Sequence, residues 1–349
     1  MSDFKVNSIA TKQGQHGPVI AGVSTVNSTG CMKIPSGPTE NRGGRGRFVF
    51  SGGYYPSPHP NVNTLNFVEI ATTGDAVDFG DLTVTRTAKQ MGMSGTRGLF
   101  AAGAFPGTPS FTTIDYITFQ SGGGANDFGD LTKNCFFGAG ISNGVRGVYC
   151  GGYSTDSPYQ LFSSCQVVNI ATLGDSSNNF GELTVAQKTD GSVSDRTRGC
   201  VAAARVGEYP SYTQTNQIEF VTTATGGNFQ DFGDLTLARR VGNGCSSSKT
   251  RGLFYSGTPG PTAAKNTIDF ITIQTKGNAQ DFGDITNSGN QDGASHGSNL
   301  TRSVNRRNSD ANNIEFVTIA TLGNTQDFGD STHSAESKAG MDNSNGSIT

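Results

Sequence analysis

Helical signatures are missing from this chain: no stretch repeats apolar residues at a 3.6-residue period, and tryptophan is absent. No segment approaches the roughly 18 to 20 apolar residues of a membrane-crossing helix. The opening MSDFKVNSIATKQGQHG lacks the apolar core of a signal peptide. A soluble protein that folds in the cytoplasm, without membrane insertion, is therefore expected. A cationic excess is missing too. With 25 Lys and Arg against 28 Asp and Glu, the net charge is -3. Without a basic stripe to neutralise phosphates, nucleic acid is excluded as a partner. The six cysteines, Cys31, Cys135, Cys150, Cys165, Cys200 and Cys245, include no Cys-x-x-Cys pair and are expected to be free core thiols. His16, His59, His296 and His333 are not at zinc-ligand spacing.

Glycine is abundant, with 49 residues, and apolar residues make up only 33%. This composition describes short strands joined by many turns. One string recurs at Asp78-Phe79-Gly80-Asp81, Asp127-Phe128-Gly129-Asp130, Asp231-Phe232-Gly233-Asp234, Asp281-Phe282-Gly283-Asp284 and Asp327-Phe328-Gly329-Asp330, with a variant at Asn179-Phe180-Gly181-Glu182. Asp-Phe-Gly holds magnesium in protein kinases, but six copies cannot be six active sites. The kinase Gly-rich loop, strand lysine and His-Arg-Asp loop are also missing. Calcium is disfavoured because it needs six to eight oxygens and no dense acidic loop is present.

The copies are spaced by roughly fifty residues, the size of a propeller blade. Arg-Gly before an apolar run keeps the same period at Arg45-Gly46, Arg97-Gly98, Arg146-Gly147, Arg198-Gly199 and Arg251-Gly252, with a degraded copy at Arg302-Ser303-Val304. Between them lie the strands LNFVEI, IDYITF, CQVVNI, IEFVTT, IDFITI and IEFVTI, from Leu65, Ile114, Cys165, Ile218, Ile268 and Ile314. Their apolar residues project from both faces, as in a sheet packed between two others. Each period reads as four strands, the last at Phe-Gly-Asp-Leu-Thr.

VFSGGY (from Val49) and YCGGY (from Tyr149) resemble the Gly-Gly doublet of the kelch family. The phenylalanines Phe79, Phe128, Phe180, Phe232, Phe282 and Phe328 stand in the place of the kelch tryptophan, and DLTVTR and DLTLAR resemble its Pro-Leu-Pro-x-x-Arg segment. The resemblance covers residues 43 to 349 and implies an all-β, six-bladed, kelch-like β-propeller with four-stranded blades. The tail ESKAGMDNSNG matches AKQMGMSG, so the C-terminal segment is expected to supply the innermost strand of the first blade and close the ring. The repeated phenylalanines are then core residues. The motif glycine permits a turn, and the flanking carboxylates accept amides or pair with a repeated arginine, for example Asp231 with Arg251 or Arg198.

A search for chemistry finds no Gly-x-Ser-x-Gly elbow and no phosphate loop in GNGCSSSKT. Asp115, Glu219, Asp269 and Glu315 recur at one strand position, which marks a scaffold role. The arginines of LTRSVNRRNSDANN can bind an anionic partner, but decay of a terminal repeat explains that segment as well. No enzyme activity, cofactor or metal is expected.

Residues 1–42 lie outside the repeat and have too few apolar groups for a core of their own; they read as an attachment arm rich in β-forming residues. MKIPSGPTENR resembles a short motif of bacteriophage tail-fibre proteins, and the repeat IATTGDAVDFGDLTVTR resembles propeller proteins of marine cyanophages. The resemblance implies a virion protein in which the arm binds other virion proteins and the propeller contacts a host-surface glycan or protein; homo-oligomerisation is compatible with it. Loops between the second and third strands carry Tyr54, Tyr55, Phe105, Tyr159, Tyr209 and Tyr212, suited to binding because aromatic faces bury area at low entropy cost. A carbohydrate-active propeller enzyme and a cellular kelch-type interaction module are the alternatives.

Overall fold

The computed structural model describes residues 46–51, 53–54, 63–103, 111–154, 160–207, 211–242, 246–259, 264–286, 294–306, 312–332, 336–337 and 339–344. The expected arm, and with it Met32 to Arg42, lies outside them. All described regular structure is β, organised as repeated antiparallel sheets.

Six sheets of at least four strands follow one another along the chain, each ordered first to fourth. Sheet I comprises Gly340–Asp342, Arg47–Ser51, Thr64–Glu69 and Val77–Asp81. Sheet II is Lys89–Met93, Arg97–Ala101, Thr113–Thr118 and Asn126–Asp130; sheet III is Ala139–Ser142, Arg146–Cys150, Ser164–Asn169 and Ser177–Glu182. Sheet IV is Gln187–Ser194, Arg198–Val206, Gln217–Thr222 and Gln230–Asp234, with Thr213–Gln214 added beside its second strand. Sheet V is Ser246–Ser247, Arg251–Gly257, Lys265–Thr272 and Gln280–Asp284; sheet VI is Ser295–Ser298, Arg302–Arg306, Asn313–Thr318 and Gln326–Asp330. The first strand of sheet I comes from the C-terminal segment, pairing Phe48 with Asp342 and Phe50 with Gly340.

The recurring Asp-Phe-Gly is the point where the fourth strand slips register against the third. Ile218 faces Gly233 and Glu219 faces Asp231, which leaves Phe232 as the extra residue. Such a β-bulge re-aims a side chain and bends the strand. Phe232 turns into the core, 2% exposed, while its carbonyl turns towards the next sheet and accepts the amide of Gly277 at 3.0 Å. Asp234 O accepts Ala279 N at 2.7 Å. The same pair of bonds joins I to II, II to III, III to IV and V to VI, and Phe328 O and Asp330 O accept Gly74 N and Ala76 N, joining VI to I.

Glycine is required at the third motif position for two reasons. Gly233 has φ +146°, and a Cβ there would stand 2.5 Å from the carbonyl oxygen of Gly277. Two expectations need correction. The fourth strand ends at the aspartate and not at Leu-Thr: Leu235 N still bonds Asn216 O at 2.7 Å, in line with the ladder, and the chain bends away at Thr236 and Leu237. The first Arg landmark is Arg47, not Arg45: Arg47 pairs with Glu69 as Arg97 pairs with Thr118.

Gly233→Ala is expected to lower stability by about 2 kcal/mol or more, from strained φ and backbone contact together, while Asp231→Asn, on an exposed side chain, stays within about 0.5 kcal/mol. Urea unfolding of both variants checks this; equal effects would contradict it.

Candidate functional site

The repeated side chains meet at the seams between sheets. Phe79, Phe128, Phe180, Phe232, Phe282 and Phe328 are all buried, and Phe79 clusters with Val49 and Leu65 of sheet I and Ile117 and Phe119 of sheet II. Each repeated arginine reaches the following sheet: Arg97 donates to Ile170 O and Ala171 O, Arg146 to Thr223 O, Arg198 to Ile273 O, and Arg251 to Ile319 O and Ala320 O. Arg47 reaches Phe119 O, and Arg302 reaches Ile70 O and Ala71 O. The expected pairing of Asp231 with Arg198 or Arg251 is therefore not formed. Those guanidinium groups face carbonyls and lie over Phe220 and Phe270 at 4.4 and 4.9 Å. The motif amide is instead capped by the next sheet's turn, as when Asn278 Oδ1 accepts Asp234 N at 3.1 Å.

The recurrent acidic position is the polar half of a latch. Thr83 donates its amide and hydroxyl to Asp115, Thr184 to Glu219, Thr236 to Asp269 and Thr286 to Glu315. Thr132 does the same to Gln166, and the Thr332 hydroxyl donates to Asn66. Arg86 and Arg239, fully buried, pair with Asp115 and Asp269 at 2.9 Å. Burial lowers the Arg86 pKa, with Asp115 opposing that effect.

The first strands are laced by serine hydroxyls. Ser142 Oγ donates to Met93 O, Ser247 Oγ to Ser194 O and Ser298 Oγ to Ser247 O, all buried. Asp342 accepts the amides of Ser298 and Ser344, so this carboxylate holds backbone. Among the described residues, no group of three His, Cys, Asp or Glu is placed to hold a metal. Cys135, Cys150, Cys165 and Cys200 are buried and free; burial pushes the Cys135 thiol up to about 12 and raises Cys150 and Cys200 as well.

Of the expected binding-loop residues, Tyr55, Phe105, Tyr159 and Tyr209 lie outside the described residues. Tyr54 lies in a short strand opposite Glu336. Tyr212 is half-buried in a cluster of rings and cations at the end of sheets II to IV where second strands lead to third strands. Lys188 Nζ lies 3.8 Å from the Tyr153 centroid and 4.6 Å from that of Tyr212; Lys89 Nζ lies 4.8 Å from Phe137, which stacks on Tyr153 at 5.8 Å. Phe137 holds φ 55°, costly for an aromatic residue and typical of functional positions. Sequence reasoning missed Phe136, Phe137, Lys89 and Lys188. The doublet in KNCFFGAG, absent from the other periods, was the available signal.

No protein-family model matches the sequence, and no curated protein matches it. Among solved structures the chain resembles that of YjhT, with a TM-score of 0.51 and 7% sequence identity, over 63% of this chain and 71% of that one. At that identity the likeness concerns fold alone. The protein is an all-β assembly of repeated four-stranded sheets, compatible with a propeller-like fold.

Two outcomes are expected. Asp115→Ala, which strands the buried Arg86 charge, destabilises by about 3 to 5 kcal/mol in chemical unfolding; a change below 1 kcal/mol would refute the latch. In the native protein at about pH 8, just below the usual thiol pKa, peptide mapping finds N-ethylmaleimide on none of Cys135, Cys150, Cys165 and Cys200 until denaturant is added. Labelling of Cys135 or Cys200 before unfolding would contradict their burial.

Proposed function

We propose that the chain is a rigid, non-enzymatic display module of a bacteriophage particle. In this reading the six sheets are the blades of a closed kelch-like propeller, and residues 1–42 attach it to other virion proteins. The carrying observation is that the repeated arginines, threonines and buried latch carboxylates are committed to bonds between sheets, while the aspartates of Asp-Phe-Gly lie exposed, apart from one another, at most one to a sheet. Little of the repeat is left for catalysis. Binding then falls to the non-repeated side chains: Tyr212, Tyr153, Phe137 and Arg205 at one end of the sheets, with the loops beside them. Rings backed by cations suit a glycan or an acidic protein surface on the host.

Closure is supported by four contacts between the chain ends. Gly340–Asp342 pairs with Arg47–Ser51, Arg302 reaches Ile70 O, Thr332 reaches Asn66, and Gly74 N reaches Phe328 O. The packing at this seam is also complementary. Phe48 stands where sheets II to V carry glycine after the arginine, and it faces Gly297, where an added Cβ would lie 2.2 Å from its ring. The phage context is supported by the tail-fibre-like MKIPSGPTENR and the cyanophage-like repeat.

Deleting residues 336–349 is expected to lower the melting temperature by roughly 10 °C or more, since it removes a strand and its burial; an unchanged melt removes the closed ring. Immunogold electron microscopy of particles that encode the chain should place label on the virion. Unlabelled particles in a lysate that contains the protein would contradict the virion reading.

A further inference from the structure

Sheet III breaks the repeat at one structural position. In the other five sheets the third strand carries an aromatic ring beneath the repeated arginine: Phe67, Tyr116, Phe220, Phe270 and Phe316 lie 4.4 to 4.9 Å from the guanidinium carbon. The same rings meet the bulge phenylalanine edge-on at 5.9 to 6.2 Å. Sheet III has Val167 there. The Arg146 guanidinium makes one long bond, 3.5 Å to Thr223 O, whereas those of Arg97 and Arg251 each make two near 3 Å.

A cavity of about 560 Å³ opens at this place, lined by Val145, Arg146, Val167, Asn179, Phe180 and Thr225 among others. Its volume falls within the roughly 300 to 1,000 Å³ of small-molecule sites. Val145 at its wall is 58% exposed, so the cavity is reachable from solvent. It sits at the turns joining third to fourth strands, the opposite end from the Phe137 cluster. The wall differs from the other sheets in charge as well. Asn179 replaces the aspartate of the other five motifs, and its amide oxygen accepts from Ser177 at 2.7 Å, which leaves the amide nitrogen to donate.

We propose that this cavity is a binding site for a small phenolic molecule, whose ring takes the place that Phe or Tyr fills in the other sheets. The ring lies beneath Arg146 in a cation–π contact and meets Phe180 edge-on. The phenolic oxygen accepts from the Asn179 amide, and its hydrogen is donated to Asp175, also on the wall. Tyr116, the phenol among the five internal occupants, is the template for this ligand.

The test uses the full chain with p-cresol as the probe and cyclohexanol as a ring without π electrons, followed by ligand-observed NMR. Saturable p-cresol binding with Kd at or below about 1 mM is expected. It should weaken at least about threefold in Arg146→Gln and be lost in Val167→Tyr, which should also melt higher because it restores the repeat's own ring. Absence of saturable binding up to about 10 mM, equal binding of cyclohexanol, or undiminished p-cresol binding in a folded Val167→Tyr each overturns the proposal. Should Val167→Tyr fail to fold, the Arg146→Gln and cyclohexanol arms decide.

Discussion

The rest of the structure depends on one backbone contact, in which the bulge at Phe-Gly presents two carbonyls of a fourth strand to two amides of the next sheet. A fourth strand is an edge, and an unpaired edge invites aggregation. The bulge frees the phenylalanine and aspartate carbonyls from the ladder, and the neighbouring turn pairs them. The approach is close enough that only a residue without Cβ fits, and its φ of +136° to +150° suits glycine alone. The run Phe-Gly-Asp thus inserts a core ring, shifts the ladder's register and docks the next sheet. This accounts for its recurrence where a metal-binding role would not.

Other seam interactions rank below this contact. Partly exposed arginine staples contribute about 0.5 to 1 kcal/mol each through their rings. The buried Arg86–Asp115 and Arg239–Asp269 pairs add little net stability over apolar replacements, because desolvation offsets attraction. Their effect is on register: a threonine and an arginine on the connection between two sheets and a carboxylate on the third strand of the second sheet satisfy one another only when adjacent sheets align. Stability comes chiefly from six apolar clusters, most of them bridging neighbouring sheets.

The period, the all-β class and the placement of the phenylalanines in the core were legible because each recurs against a varied background. Partner assignment was not. Asp231 and Arg198 both recur, and recurrence alone suggested a pair, but the bulge turns the carboxylate outward while the arginine lies flat on the adjacent ring. The latch role of Asp115 is half visible in the sequence: its repetition marks a scaffold residue, yet its threonine partner, some thirty residues earlier, shows no periodic signal distinct from the motif beside it. GRGRFVF offers two frames, Arg45 and Arg47, and only pairing with Glu69 selects Arg47. The valine of CQVVNI was in plain view. Its consequence needs the arginine and phenylalanine that bracket it in space.

Six sheets joined by one kind of seam leave function to what is not repeated: one end bearing Phe137 and its cations, the other a missing ring in sheet III. The central claim is that the seam between sheets VI and I equals the other five. Native-state amide exchange tests it most directly. The account predicts that the amides of Gly74 and Ala76, bonded to Phe328 O and Asp330 O, are protected within about tenfold of Gly123, Ala125, Gly277 and Ala279. Exchange of Gly74 and Ala76 at unprotected rates, with the other seams protected, would contradict it.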